Sequence, residues 1–335
     1  MVCLSCKKEY QPRTIAKVTI KKFKMDSVSI RAILPLSDTK MLFAGSNGAI
    51  GFTADDGATW VREIITYNDS IRPSFRSIAS NSSHTFVLSV GSPALLYKVS
   101  NEEKKMVYTE KHPTVFYDAM AFFDTKHGIA IGDPTENCTS ILLTSDGGNT
   151  WKKVDCSNLP TVAKGEASFA ASNTNIAIVN NTVWVVTGGT KARVFKSIDK
   201  GQTWEVFDTP IIQGNGPQGI YSVDFHDENT GIIVGGDYSK PDENKATKAI
   251  TKDGGKTWTL VADLQNPAYK SCVQYVPNTN GKEIFSVGKT GISFSNDGGI
   301  TWKEVSTDSY YAIQFVDRNT AWLSGHQKIG KLVLK

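Results

Sequence analysis

Apolar and polar residues alternate in short runs along nearly the whole chain, and no stretch holds the i, i+3, i+4 spacing of a long helix. Runs that end in glycine recur seven times: Phe43-Ala44-Gly45, Ser89-Val90-Gly91, Ala130-Ile131-Gly132, Val186-Thr187-Gly188, Ile233-Val234-Gly235, Ser286-Val287-Gly288 and Leu323-Ser324-Gly325. Each follows a run of small and apolar residues, at 29–34, 76–80, 118–123, 168–171, 222–225, 271–276 and 311–316. These periods predict two strands per unit before any motif is considered.

An octapeptide supplies the other two strands. It reads TADDGATW at 53–60, TSDGGNTW at 144–151, SIDKGQTW at 197–204, TKDGGKTW at 251–258 and SNDGGITW at 295–302. The shared pattern is [S/T]-x-D-x-G-x-T-W. Its glycine suits a positive φ, and its aspartate can accept hydrogen bonds from turn amides. Its tryptophan opens the next strand with a large apolar surface. Asp55, Asp146, Asp199, Asp253 and Asp297, with Trp60, Trp151, Trp204, Trp258 and Trp302, are therefore read as hairpin and packing residues, not as catalytic acids or metal ligands. The aspartates are 91, 53, 54 and 44 residues apart, so one unit has lost its box near 100–103.

The expectation is a seven-bladed all-β propeller of four-stranded units. A six-bladed ring is the alternative count. Residues 15–22 have strand character and no other place, so they are expected to pair into the last blade and close the ring. The division is a tail at 1–14 and a single propeller at 15–335.

Composition removes several classes of function. Hydrophobic residues make up 40%, charged residues 21%, and the net charge is +4. Lysines are scattered, which argues against nucleic acid as a partner. No apolar run approaches the ~20 residues of a membrane-spanning helix. No Gly-rich dinucleotide loop or metal-ligand spacing occurs, so no cofactor and no metal are expected.

The five cysteines are not equivalent. Cys3-Leu4-Ser5-Cys6 resembles the end of a bacterial lipoprotein signal with Cys6 as the lipid acceptor. The rest of that signal would need an upstream start. A chance match and a redox or zinc CxxC pair are the alternatives. Cys6 is the basis for expecting a cell-envelope lipoprotein that meets a membrane only through that anchor. Cys138 and Cys156 each lie nine residues from Gly147, so they face each other across the 144–151 hairpin and are candidates for a disulfide. Cys272 falls on an innermost strand and is expected to be buried.

The boxes, with SIRAI, FAGSNG, FYDAMAFFD, IAIGDP, GEASFAAS and GGDYSKP around them, resemble the BNR/Asp-box superfamily. More closely, the chain from about residue 15 is similar to the photosystem II stability/assembly-factor-like proteins. That resemblance implies a seven-bladed propeller that acts by binding other proteins during assembly.

The repeat also separates two faces. Box turns lie on one, and the long insertions at 66–75, 155–166, 208–220 and 237–245 lie on the other, where binding residues concentrate. Arg31, Arg72, Arg76, Tyr117, Asp118, Glu166, Tyr221 and Tyr310 project to that mouth from the innermost strands and the connections before them. Asn47, Asp133, Asp237, Tyr238, Lys289 and His326 reach it from the later connections, with Arg193 close by. Four of only seven arginines lie in this set, and arginine suits anions.

The expected function is that of a non-catalytic, monomeric binding or assembly propeller with a protein or glycan at this face. A polysaccharide-binding surface lipoprotein is a second reading, and a sialidase-like glycosidase a third. The third would cast Arg31, Arg76 and Arg193 with Tyr221, Glu166 and Asp118. The Arg-Ile-Pro element of such enzymes is absent, however, since the order here is Ser-Ile-Arg-Ala-Ile.

Overall fold

The protein is described from a computed structural model covering residues 10–100 and 102–334. Cys3 and Cys6 lie outside the described residues. Antiparallel strands make up the fold, with one short 3-10 turn at Cys156–Asn158. No helix among the described residues is long and apolar enough to cross a membrane.

Innermost strands Thr19–Pro35, Ser74–Ser80, Tyr117–Phe122, Ile176–Val179, Gln218–Phe225, Cys272–Tyr275 and Ala312–Phe315 pack in order around a central axis. The last of them meets the first. Backbone hydrogen bonds join the strands into six sheets, four of four strands and two of six. By that measure the propeller has six blades, which corrects the seven expected from the repeat.

The cause is the 17-residue strand Thr19–Pro35. Its first part pairs with the C-terminal strand, from Thr19↔Val333 to Lys24↔Lys328. Its second part pairs with Met41–Gly45. The first and last repeat units therefore share one strand and become one sheet. Counting units overcounts sheets when a strand passes from one unit into the next.

A second correction concerns 168–171, which is not an innermost strand. Ile176–Val179 takes that place. Residues 168–173 are irregular, with a tight turn from the Ala171 amide to the Phe169 carbonyl (2.7 Å) and Asn173 at φ 61°. Pairing with Gly188–Gly189 ends at Ala167, and the segment instead crosses the mouth with Phe169 and Ala171 packed against Tyr221 and Tyr269.

The octapeptide turns share one hydrogen-bond pattern. In the first, Asp55 accepts from the Thr59 amide (2.9 Å), the Thr59 hydroxyl (2.6 Å) and the Thr53 hydroxyl (2.9 Å), while Thr53 accepts from the Gly57 amide. The hydrogen bonds from Thr59 hold the Asp55 carboxyl below the usual carboxylate range. Burial opposes the same effect at Asp253, yet the bonds from Thr257 and Thr251 prevail and bring it down to about 2. Gly148 sits at φ 81°, and a Cβ there would come within 2.5 Å of the Phe86 ring. The indole N–H of Trp60, Trp204, Trp258 and Trp302 donates to the box glycine carbonyl at 2.8–3.2 Å. The Trp151 indole N–H has no partner.

Cys138 and Cys156 are joined by a disulfide that brackets the 144–151 hairpin, with Cα atoms 5.6 Å apart. Cys272 is a buried free thiol.

Two expected outcomes follow from this architecture. Asp297→Ala strips the acceptor from the Thr301 amide, the Thr301 hydroxyl and the Ser295 hydroxyl. It should cost about 1–2 kcal/mol in denaturant unfolding while leaving the β-sheet signal intact. Replacing both Cys138 and Cys156 by serine opens an 18-residue loop. That change should lower unfolding free energy by about 3 kcal/mol, and equal midpoints with and without reductant would contradict it.

Candidate functional site

Strand pairing skips one residue on four of the innermost strands. Arg31 is skipped between Ile30 and Ala32, Arg76 between Phe75 and Ser77, Asp118 between Tyr117 and Ala119, and Tyr221 between Ile220 and Ser222. Such bulges bend a strand and re-aim the unpaired side chain. Opposite three of them stands a glycine, Gly45, Gly132 or Gly235, because there is no room for a side chain. A Cβ on Gly132 would lie 2.4 Å from the Phe116 carbonyl, and one on Gly235 would lie 1.9 Å from the Gly219 carbonyl.

The result is a mouth pocket of 510 Å³. Arg31, Arg76, Asp133, Tyr221, Tyr238 and Lys289 line it, with Phe116, Phe169, Tyr269 and Tyr311 completing an aromatic wall. Tyr221 stacks on Phe169 with ring centroids 4.0 Å apart, and Tyr269 meets it edge-on at 4.8 Å. The Tyr221 hydroxyl donates to the Pro217 carbonyl at 2.7 Å.

The irregular segment 168–173 orients both arginines. Arg31 donates to the Ala171 carbonyl (3.1 Å) and lies over the Tyr311 ring at 4.1 Å. Arg76 reaches the Ala170 carbonyl at 3.4 Å and lies over Phe116 at 5.7 Å. Among the described residues, the salt bridges include neither guanidinium. Burial, with Arg31 close by, lowers the Arg76 guanidinium from its ordinary value.

Behind the arginines are two acids. Asp118 is fully buried, and no side chain hydrogen-bonds to either carboxyl oxygen; the Ala170 amide is the polar group that favours its charge from the backbone, at a geometry short of a regular hydrogen bond. Burial first, and then Asp133, push its carboxyl well above the usual range, against the pull of Arg76. Asp133 accepts from the Ser168 amide at 2.8 Å, and burial raises it to about 6.

Other residues expected at the site are used elsewhere. Glu166 is buried in an ion pair with Arg193, at 2.6 and 3.0 Å, and also accepts from Thr187. Tyr117 is buried and donates to Glu110 (2.7 Å), which Lys153 also holds. Asp237 closes its own turn onto Ser239. Asn47 holds the Ser27 carbonyl, and Tyr310 is buried in the seam of the ring. Arg72 and His326 are exposed and do not line the pocket.

The glycosidase arrangement is not assembled. Arg193 is committed to Glu166, and Tyr221 faces a backbone carbonyl rather than a carboxylate. Among the described residues no group of three or more His, Cys, Asp or Glu could hold a metal ion.

Two other cavities carry less chemistry. A 650 Å³ groove between residues 36–63 and 78–104 is larger, but its charged residues Glu63 and Lys104 are paired with each other. The central channel, 300 Å³, holds Asp224, whose carboxyl burial raises to about 7 and whose oxygen accepts from the Tyr275 amide at 2.7 Å.

The walls were missed in sequence, although the repeat held a signal for one. Tyr311 stands just before the last innermost strand, where Arg31, Arg76 and Tyr221 stand in theirs.

Fold and pocket together define an all-β propeller with a polar, aromatic-walled mouth. Comparison with known proteins agrees on the propeller. Residues 139–289, less than half of the chain, match the family profile Sortilin, neurotensin receptor 3. No curated protein matches in sequence. Among solved structures, YCF48 bound to D1 peptide is similar at TM-score 0.67 and 14% identity, over 96% of this chain and 100% of that one. YCF48 from Cyanidioschyzon merolae gives 0.62 and 13%, over 94% and 98%. A catalytically inactive virginiamycin B lyase from Staphylococcus aureus with Quinupristin gives 0.69 and 13%, over 95% and 100%. At these identities the likeness shows the fold alone.

The buried acids yield a prediction with a definite sign. Their folded pKa values exceed that of an unfolded aspartate, so the folded chain keeps protons that the unfolded chain releases. The resulting stability is complete below about pH 3.8 and is lost as pH rises, through about 6 for Asp133. Asp118→Asn should therefore stabilise the protein by about 1–3 kcal/mol at alkaline pH and flatten the loss of Tm between acidic and neutral pH.

Proposed function

We propose that this protein is a non-catalytic binding propeller that holds an acidic segment of a protein partner in its mouth. The observation that carries the reading is the pair Arg31 and Arg76, two guanidiniums without an ion-pair partner in an aromatic pocket. Buried cations normally keep a carboxylate close, and arginine is suited to bidentate recognition of anions. YCF48 bound to D1 peptide, a propeller of similar fold, supports a peptide as the occupant.

The wider role is that of an assembly or stability factor in the cell envelope. The Cys138–Cys156 disulfide supports an oxidising compartment, and lipid on Cys6 would tether the chain to a membrane. A glycan is the second reading. It is favoured by the Phe169–Tyr221 stack and by Tyr238, which is 47% exposed with Lys289 over its ring.

Comparative affinity capture from the native envelope tests the reading. The wild type should retain a reproducible protein partner, and Arg31→Met with Arg76→Met should lose it at unchanged thermal stability. Undiminished capture by the double variant would overturn the assignment of the mouth. Sialoside hydrolysis by the wild type without any partner would overturn the non-catalytic reading.

A further inference from the structure

The charges at the mouth are not matched into ion pairs. Arg31 and Arg76 direct hydrogen-bond donors to the Ala171 and Ala170 carbonyls. Asp118, fully buried behind them, has no side-chain partner on either oxygen. Asp133 lines the pocket with one oxygen on the Ser168 amide.

The surrounding charged groups are few. Arg31 faces the acids from strand Thr19–Pro35, Arg76 from Ser74–Ser80, and Lys289 stands across the pocket after Ile284–Gly288. Glu166 is neutralised by Arg193, and Glu110, behind Tyr117, is held by Lys153. Asp237 is engaged in its own turn. No histidine lines the pocket.

We propose that an anion entering the mouth pocket brings a proton with it, taken up at the Asp118 and Asp133 carboxyls, with Arg76 as the link. This rests on the mouth being the binding site for an acidic group. In the free protein the field of Arg76 favours the ionised form of Asp118, which interacts through space with Asp133. A bound anion draws on that field and adds negative charge in front of Asp133. Both effects favour the neutral acids. An O–H bond forms on one carboxyl, and the proton comes from solvent through Asp133, the acid that opens to the pocket. No other bond changes. Asp118 never touches the ligand. It acts through Arg76 and Asp133 as a positioning residue, and the raised carboxyls described above agree with this arrangement.

The coupling makes binding tighter at low pH. The full-length protein can be titrated calorimetrically with N-acetyl-tyrosine, a carboxylate on an aromatic group, from pH 5 to 8 in buffers of different ionisation enthalpy. Wild-type affinity should fall by up to about tenfold per pH unit across the coupled range, with as much as one proton taken up per anion. Asp118→Asn should flatten the profile and hold affinity at pH 8 near the acidic wild-type level. Asp133→Asn serves as the second variant if the first does not fold. Wild-type binding with a flat profile and no proton uptake would overturn the coupling and leave the mouth as the binding site. An equal loss of affinity at every pH in both variants would reduce the acids to a structural role. No binding of the probe at any pH would remove the binding site and the coupling together.

Discussion

Closure of the ring constrains everything else in this fold. Arg31 on the first innermost strand and Tyr311 just before the last both line the mouth, so the pocket depends on those two strands staying together. The seam is held by the register of residues 19–24 against 328–333 and by a cluster including Val18, Tyr310, Leu332 and Leu334. The tail adds a charged clamp. Arg13 donates to the fully buried carboxylate of Glu283 through its backbone amide and Nε, both at 2.8 Å, and reaches the Arg318 carbonyl. Without Arg13 and Tyr10, Glu283 would be a buried charge with no partner side chain, which is among the costlier defects a fold can carry. Arg13, in the segment expected as a tail, is thus held against Glu283, Arg318 and Asn319.

The site follows from a departure from regular pairing. A strand with unbroken register would turn Arg31, Arg76 and Tyr221 along the sheet faces, where neighbouring blades pack. The bulges bring them to the mouth instead. The irregular residues 168–173 then supply the carbonyls that orient the arginines. Strands and the irregular crossing share the work, and the long insertions add Gly216 and Tyr238 to the lining.

The box turns were legible in the sequence because their chemistry is local. Asp, Gly, Thr and Trp act within eight residues, and Asp297 makes the same bonds as Asp55. The pairing of the N-terminal strand with the last unit was legible, but the sheet count was not, because it depends on Thr19–Pro35 running as one strand from that unit into the first. The strand expected at 168–171 was misplaced: pairing with Gly188–Gly189 stops at Ala167, and the innermost strand resumes at Ile176–Val179. Glycines such as Gly132 and Gly235 were visible as strand ends. Their meaning was not, since each marks the close approach of a bulged backbone from the neighbouring strand. A recurring glycine opposite a recurring small-apolar run is a sequence trace of the bulge.

Sequence also could not separate the two kinds of arginine at this face. Arg193 and Arg31 look alike as residues, but Arg193 is spent. It closes a fork onto a buried Glu166, and the Thr187 hydroxyl completes that network. Such an arrangement is finished and asks for no ligand. Arg31 and Arg76 have backbone carbonyls and aromatic faces but no carboxylate at salt-bridge distance, while the acid nearest to hand, Asp118, is left without a side-chain hydrogen bond. A fold selected for stability alone would have paired these groups or replaced them, because unpaired buried charge is costly. Local rules broken without local compensation mark sites where something else completes the structure. On the proposed reading the missing element is negative and sits in front of Arg31 and Arg76, in the pocket that they line.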